Sequence, residues 1–461
     1  GLISPDYCTS QDAHILPITK ILYPDIPGKN YFLTSGRDGS IILHKNTQLS
    51  NEPGTAATTI KNDAIRMQVH SDWASDLIHV NMKNSDPSAG DTFISVSHDF
   101  SIVLISVNAQ LTTWDKKIIG DHDDYIKCIV PIHYEMSNDY ELEEQEGGPD
   151  NVHDGINNGI VVDEQNNFLF VTGGLDRKIK LWCLSSGPEK MATLLHTFDN
   201  AQSNDTGSIY SMSPIIPKYS FDDNQTSRPF DFVAGDCNGD LIFYSCKYRK
   251  EVIRIQNAHR TNIKVVRTLD DSTRLISTSS DGVINVWDLN CRHDQTTGAL
   301  QLPKKIGSWS WDSSIWCVQG TSLDKLYFGD SQGNVMRANL SSYEDAKLTR
   351  IFKPDHHHHH HHHHEHEEQN ISTTDAKVKK YGGILDIALL PNEKLLFSFC
   401  TDSNLNVLDL TNNHFSVNEG GFALTRSSLL TNRRHVITEN TKGQMQRWDI
   451  VSCELLNTFD S

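Results

Sequence analysis

Residues 275–289 read LISTSSDGVINVWDL. Apolar and polar residues alternate on both sides of Asp281-Gly282, the pattern of two half-buried strands. Asp bonds the local backbone and Gly accepts positive φ, so this pair suits a tight hairpin turn. The phrase recurs as 32–44 (FLTSGRDGSIILH), 93–105 (FISVSHDFSIVLI), 170–184 (FVTGGLDRKIKLWCL), 232–245 (FVAGDCNGDLIFYS), 327–340 (YFGDSQGNVMRANL), 397–410 (FSFCTDSNLNVLDL) and 436–450 (VITENTKGQMQRWDI). The eight copies place their turns at Asp38, Asp99, Asp176, Asn238, Asp281, Gln332, Asp402 and Lys442.

Successive turns are 40 to 77 residues apart. The shortest intervals equal the about 40–45 residues of a WD-type propeller blade, and longer ones add loops to the same unit. A further strand precedes each phrase and another follows it. Four antiparallel strands per unit, in eight radial units, predict an all-β, eight-bladed WD40-type β-propeller filling residues 1–461 as one domain. His70, His122 and His259 lead into first strands, while Trp182, Trp287 and Trp448 close third strands. With Asp38, Asp99, Asp176, Asp281 and Asp402 they are expected to brace blades through His–Asp and Trp contacts. Repetition from blade to blade argues for scaffold residues rather than a catalytic pair.

Two insertions stand out. Residues 134–167 hold ten Asp or Glu and no Lys or Arg, which predicts a disordered acidic loop. It supplies more than half of the −18 net charge. Residues 341–380 hold the run 356–364 of consecutive histidines and predict a disordered His-rich insertion with at most adventitious metal binding. Residues 46–63 and 215–228 read as shorter loops. No cofactor or metal site is expected: the nine cysteines lack any C-x-x-C pair, and nucleotide-binding, G-x-S-x-G and H-E-x-x-H motifs are missing. The chain therefore reads as a non-enzyme. Net acidity argues against nucleic acid, and no apolar run approaches the ~18 residues of a membrane span. Scattered thiols point to an intracellular protein, cytoplasmic with the nucleus as a second compartment. Starting at Gly1, the sequence reads as a fragment of a longer chain.

The order of lead-ins is more specific than the repeat. Residues 70–76 (HSDWASD), 122–127 (HDDYIK), 173–179 (GGLDRKI), 208–211 (SIYS), 262–265 (NIKV), 279–284 (SSDGVI), 314–316 (SIW) and 430–438 (LTNRRHVIT), then Trp448-Asp449-Ile450, resemble the WD-repeat cofactors that activate ubiquitin-specific proteases. The resemblance spans residues 30–455. It implies an eight-bladed monomeric propeller that binds a ubiquitin-specific protease, ubiquitin or both, and stimulates deubiquitination without catalysing it. It also implies an ancillary region and ubiquitin-like domains further along the parent chain. Lys264 and Trp316 match family positions that contact the protease. Where the family has a basic residue before the turn of the sixth blade, this chain has Ser331.

Lead-ins of successive blades should ring the central channel. That ring gathers Trp73, Ser75, Tyr125, Lys127, Ser208, Tyr210, Asn262, Lys264, Ser314 and Trp316. Aromatic residues bury much area at low entropic cost, so Trp73, Tyr125, Lys127, Tyr210, Lys264 and Trp316 are the candidate partner-binding residues. The alternative is an adaptor that reads another protein or peptide, such as a histone tail or a modified peptide. Phosphate reading would want Arg at the mouth, and the ring as read has none.

Overall fold

The computed structural model describes residues 13–24, 26–45, 64–82, 87–133, 140–141, 161–162, 166–187, 191–199, 206–220, 222, 225–354 and 381–421. Of residues 424–460 it describes strand positions, with side chains at 437–439 and 444–447.

Each of the first seven repeats folds as one four-stranded antiparallel sheet, or blade. In blade 5 the strands are Ile263–Leu269, Arg274–Ser279, Val283–Asp288 and Lys304–Ser310. Leu275 pairs with Trp287 across the predicted hairpin. Gly282 sits at its turn with φ 89°, where a Cβ would come 2.5 Å from the Trp311 carbonyl oxygen. The inner strands of blades 1 to 7 are Ile18–Leu22, Ala74–His79, Ile126–Pro131, Ile209–Pro214, Ile263–Leu269, Ile315–Ser322 and Ile384–Leu390. Each packs on the next round a central channel.

The core is a cycle of apolar layers, one between each pair of neighbouring blades. The layer that closes the cycle joins Ile18, Ile21 and Phe32 of blade 1 to Ala388, Leu390, Leu396, Leu405 and Val407 of blade 7. Asp386 accepts the Ile21 amide at 2.7 Å, and the Ser398 hydroxyl donates to the Ile18 carbonyl at 2.8 Å.

That closure corrects the expected blade number. The ring has seven blades, not eight. The eighth repeat does form a four-stranded sheet, from Leu424–Leu429, His435–Asn440, Gln444–Asp449 and Glu454–Asp460. Yet blade 7 packs directly on blade 1, and an eighth blade would have to open a dry interface whose members are at most 4% exposed. The Gly421 amide also donates to the His14 carbonyl at 2.7 Å, tying the exit of blade 7 to the entry of blade 1. Counting repeats counts sheets; it does not say which sheets become neighbours.

Within the acidic stretch, Tyr140–Glu141 pairs with Val161–Val162, and Asn167 opens the second strand of blade 3. Its other residues before 166 lie outside the described set. Within 341–380, Lys347–Phe352 is the outer strand of blade 6, and the histidine run falls outside the described residues. Residues 46–63 are also outside. The loop after Pro214 is pinned by Lys218–Arg228 and Ser227–Cys291 bridges.

Candidate functional site

The bracing residues come first, because they fix the frame. His122 Nδ1 donates to Asp176 at 2.8 Å, Thr172 Oγ1 lies 2.8 Å from Nε2, and the Trp182 indole donates to Thr172 at 3.0 Å. Asp99, His70 and Ser95 repeat the chain in blade 2, as do Asp38, His14 and Thr34 in blade 1. His14 went unread in the sequence. Acid, imidazole and hydroxyl stand in the order of an acyl-transfer triad. Thr34, Ser95 and Thr172 are 0% exposed, so these hydroxyls are closed off from solvent. Burial works against the carboxylate of Asp38, but the His14 charge and hydrogen bonds from His14, Ser40 and the Ile15 amide hold it well below the usual range.

Three blades depart from the expected set. In blade 5, Ser277 bonds both His259 and Trp287, but Asp281 turns to Ser279 and His259 Nδ1 has no partner. In blades 4 and 6 the bracing carboxylate sits two residues before the assigned turn positions Asn238 and Gln332. Asp236 accepts the Gly207 amide at 3.0 Å, and Asp330 accepts the Trp311 indole at 2.8 Å. The shared Gly-Asp of AGDCNG and FGDSQG was the available signal. Asp402 caps the Asn404 amide in blade 7. The side chain of Trp448 lies outside the described residues.

The mouth is built by a repeated irregularity. Each inner strand slips register at its second residue: Thr19, Ser75, Lys127, Tyr210, Lys264, Trp316 and Leu385. A bulge leaves one residue unpaired and re-aims its side chain. Here all seven line the axial cavity of about 660 Å³. Lys127, Tyr210, Lys264 and Trp316 were expected at this ring; Thr19 and Leu385 were not. Trp316 lies against Gly383 of blade 7, where a Cβ would come 2.2 Å from the ring. Lys264 Nζ is 5.9 Å above the Trp316 ring, and burial lowers its pKa.

A second rank comes from the hairpin turns. One amide per turn donates to the lead-in carbonyl of the same blade, as Arg37 does to Pro17, His98 to Trp73, Leu175 to Tyr125 and Ser331 to Ser314. This rule places Arg37 in blade 1 where Ser331 stands in blade 6. Arg37 lies 4.0 Å over the Trp73 ring. Trp73 stacks on His98 with centroids 4.8 Å apart, and His98 on Tyr125 at 4.2 Å and 4°. Lys127 donates to His98 Nε2 at 2.9 Å. His98 is pushed down to about 4 by burial and by the Lys127 and Arg37 charges, so it accepts this bond as a neutral ring. Thus Trp73, Tyr125 and Lys127 form one column across blades 1 to 3, while Lys264 and Trp316 pair across blades 5 and 6. Tyr210 lies between the two groups in the ring.

Deeper in the channel, Lys20 Nζ stands 3.8 Å from Asp76, which also accepts the Ile129 amide at 3.0 Å. Arg267 donates to the Gly320 carbonyl at 2.7 Å and the Val318 carbonyl at 3.2 Å. These groups fasten inner strands together. No group of His, Cys, Asp and Glu among the described residues has metal-site geometry.

Residues 250–288 match the family model of the WD domain, G-beta repeat. The match takes in the outer strand Lys250–Ile255 of blade 4 and the first three strands of blade 5.

Proposed function

We propose that this WD-repeat propeller is a non-catalytic scaffold that docks a ubiquitin-specific protease, ubiquitin or both at the bulged mouth of its channel, and so stimulates deubiquitination. The observation that carries the reading is the Lys264–Trp316 pair, held on a bulge ring by close contact with Gly383. Few residues dominate a protein interface, and a fixed aromatic beside a cation suits that role. The choice of protease and ubiquitin as partners rests on the ordered lead-ins.

The test is stimulation of purified ubiquitin-specific proteases on a fluorogenic ubiquitin substrate. Turnover should rise with the propeller present, and Trp316→Ala and Lys264→Glu should each abolish the rise. Protease capture retained by both variants would put docking on another surface. Direct ubiquitin binding is tested by NMR titration; an unperturbed ubiquitin spectrum at millimolar propeller rules it out. A second reading, an adaptor for another protein or peptide, gains from Arg37, which supplies the arginine missing from the lead-in ring.

A further inference from the structure

The column over blades 1 to 3 has features that a packing role leaves unexplained. Arg37 and Lys127 both stand over the Trp73 ring, at 4.0 and 5.9 Å, and Lys264 lines the same mouth; burial first, and then the Arg37 and Lys264 charges, depress Lys127. None of the three meets a carboxylate at ion-pair distance among the described residues, and Arg37 Nε is buried without a hydrogen-bond partner. Two carboxylates border the column: Asp72 accepts the Trp73 amide and Asp124 the Tyr125 amide, both at 2.7 Å, and the Asp124 charge offsets only part of what burial and the other cations do to Lys127. A protein of net charge −18 thus keeps unpaired cations together at one opening.

The second observation is backbone strain. The turns of blades 1, 4, 5 and 6 place glycine at positive φ: Gly39, Gly239, Gly282 and Gly333. Blade 2 puts Phe100 there, at φ 75°, and blade 3 puts Arg177 there, at φ 64°; of the two, Phe100 is the one beside the column. A bulky residue in the left-handed region is strained, and such strain clusters at functional sites. Phe100 gains little burial in return, being 41% exposed beside Tyr125, itself 38% exposed, with ring centroids 6.2 Å apart.

We infer that Arg37, Trp73, Phe100, Tyr125 and Lys127 form a subsite for an acidic peptide segment of a protein partner, with carboxylates on the two cations and an aromatic or aliphatic side chain against Phe100 and Tyr125. The inference rests on the mouth being the docking face, but uses its other half from Lys264 and Trp316. Carboxylates suit guanidinium and ammonium donors, and a stacked guanidinium is already oriented. Screening over about 8–10 Å lets these local cations outweigh distant acidic loops.

The probe is a short fluorescein-labelled peptide alternating Glu and Phe, titrated by anisotropy into the full chain, with a Gln/Phe control and a phosphoserine/Phe arm. The Glu peptide should bind saturably and weaken with salt. Arg37→Ala and Lys127→Ala should each weaken it about tenfold, and Trp316→Ala should leave it unchanged. Phe100→Gly should raise the melting temperature while weakening the peptide, which a purely structural role would not do. Equal binding of the Gln peptide, saturable binding of the phosphoserine peptide alone, no saturable binding, or wild-type affinity in Arg37→Ala would overturn the subsite. Loss of protease stimulation in Trp316→Ala with peptide binding intact separates the two halves. Peptide binding in the absence of any protease stimulation would leave this subsite standing and remove the protease reading.

Discussion

At the residue scale, Thr172 shows how a buried hydroxyl can decide a blade. It bonds both His122 and the Trp182 indole, and His122 in turn reaches Asp176. Removing His122 takes one buried hydrogen bond from Thr172 and a charge-assisted one from Asp176, each worth on the order of 1–3 kcal/mol. His122→Ala should therefore lower the urea midpoint more than His259→Ala, whose Nδ1 already lacks a partner. Protonation follows the same frame. Burial, the main cause in each case, lowers His44 to about 3 and His98, His196 and His259 to about 4. The unfolded chain takes up protons near pH 6.5 that the folded chain refuses, so stability falls as pH drops from about 6.5 to 4. His259 alone contributes on the order of 3 kcal/mol to that loss. Asp38, Asp99 and Asp176 have depressed carboxyls, so their contribution is lost only at still lower pH. Urea midpoints at pH 7 and pH 4.5 should differ, and His196→Phe should reduce the difference.

At the scale of the element, the inner-strand bulge joins sequence to site. Alternation made the strands readable, because a buried face imposes period two. Their position in the lead-ins, not alternation, placed Lys127, Tyr210, Lys264 and Trp316 at the mouth. The bulge itself has no residue signature: Thr19, Ser75 and Leu385 share nothing chemically with Trp316, so two ring members went unread. Arg37 was missed because it belongs to a hairpin turn, and only the amide-to-lead-in bond brings turns and lead-ins together. Gly383 explains where Trp316 points, through a contact 67 residues distant in sequence. Gly383→Ala should push the indole off its seat. Protease stimulation should fall severalfold while the melting temperature stays within a few degrees of wild type, as read by the fluorogenic assay and a thermal melt.

For the whole molecule, eight repeats were legible and seven blades were not. Each repeat declares its own strands, but ring size depends on how Ile18 and Phe32 meet Leu396 and Val407. If that interface closes the fold, the chain cut after residue 421 should keep the melting temperature and compactness of the intact protein by calorimetry and gel filtration. Removing residues 13–22 should instead unfold it, because the inner strand of blade 1 goes with them. A truncation that unfolds the ring would return the eighth sheet to it.

The same closure has a consequence for biosynthesis. The Ile21–Asp386 bond joins residues 365 positions apart. At roughly 5–20 residues per second, a ribosome needs about 20–70 s to cover that stretch. From Gln68 onward, which is most of this interval, the nascent chain carries a complete first blade with one apolar flank uncovered. Chaperones would have to shield a flank that the completed ring never shows.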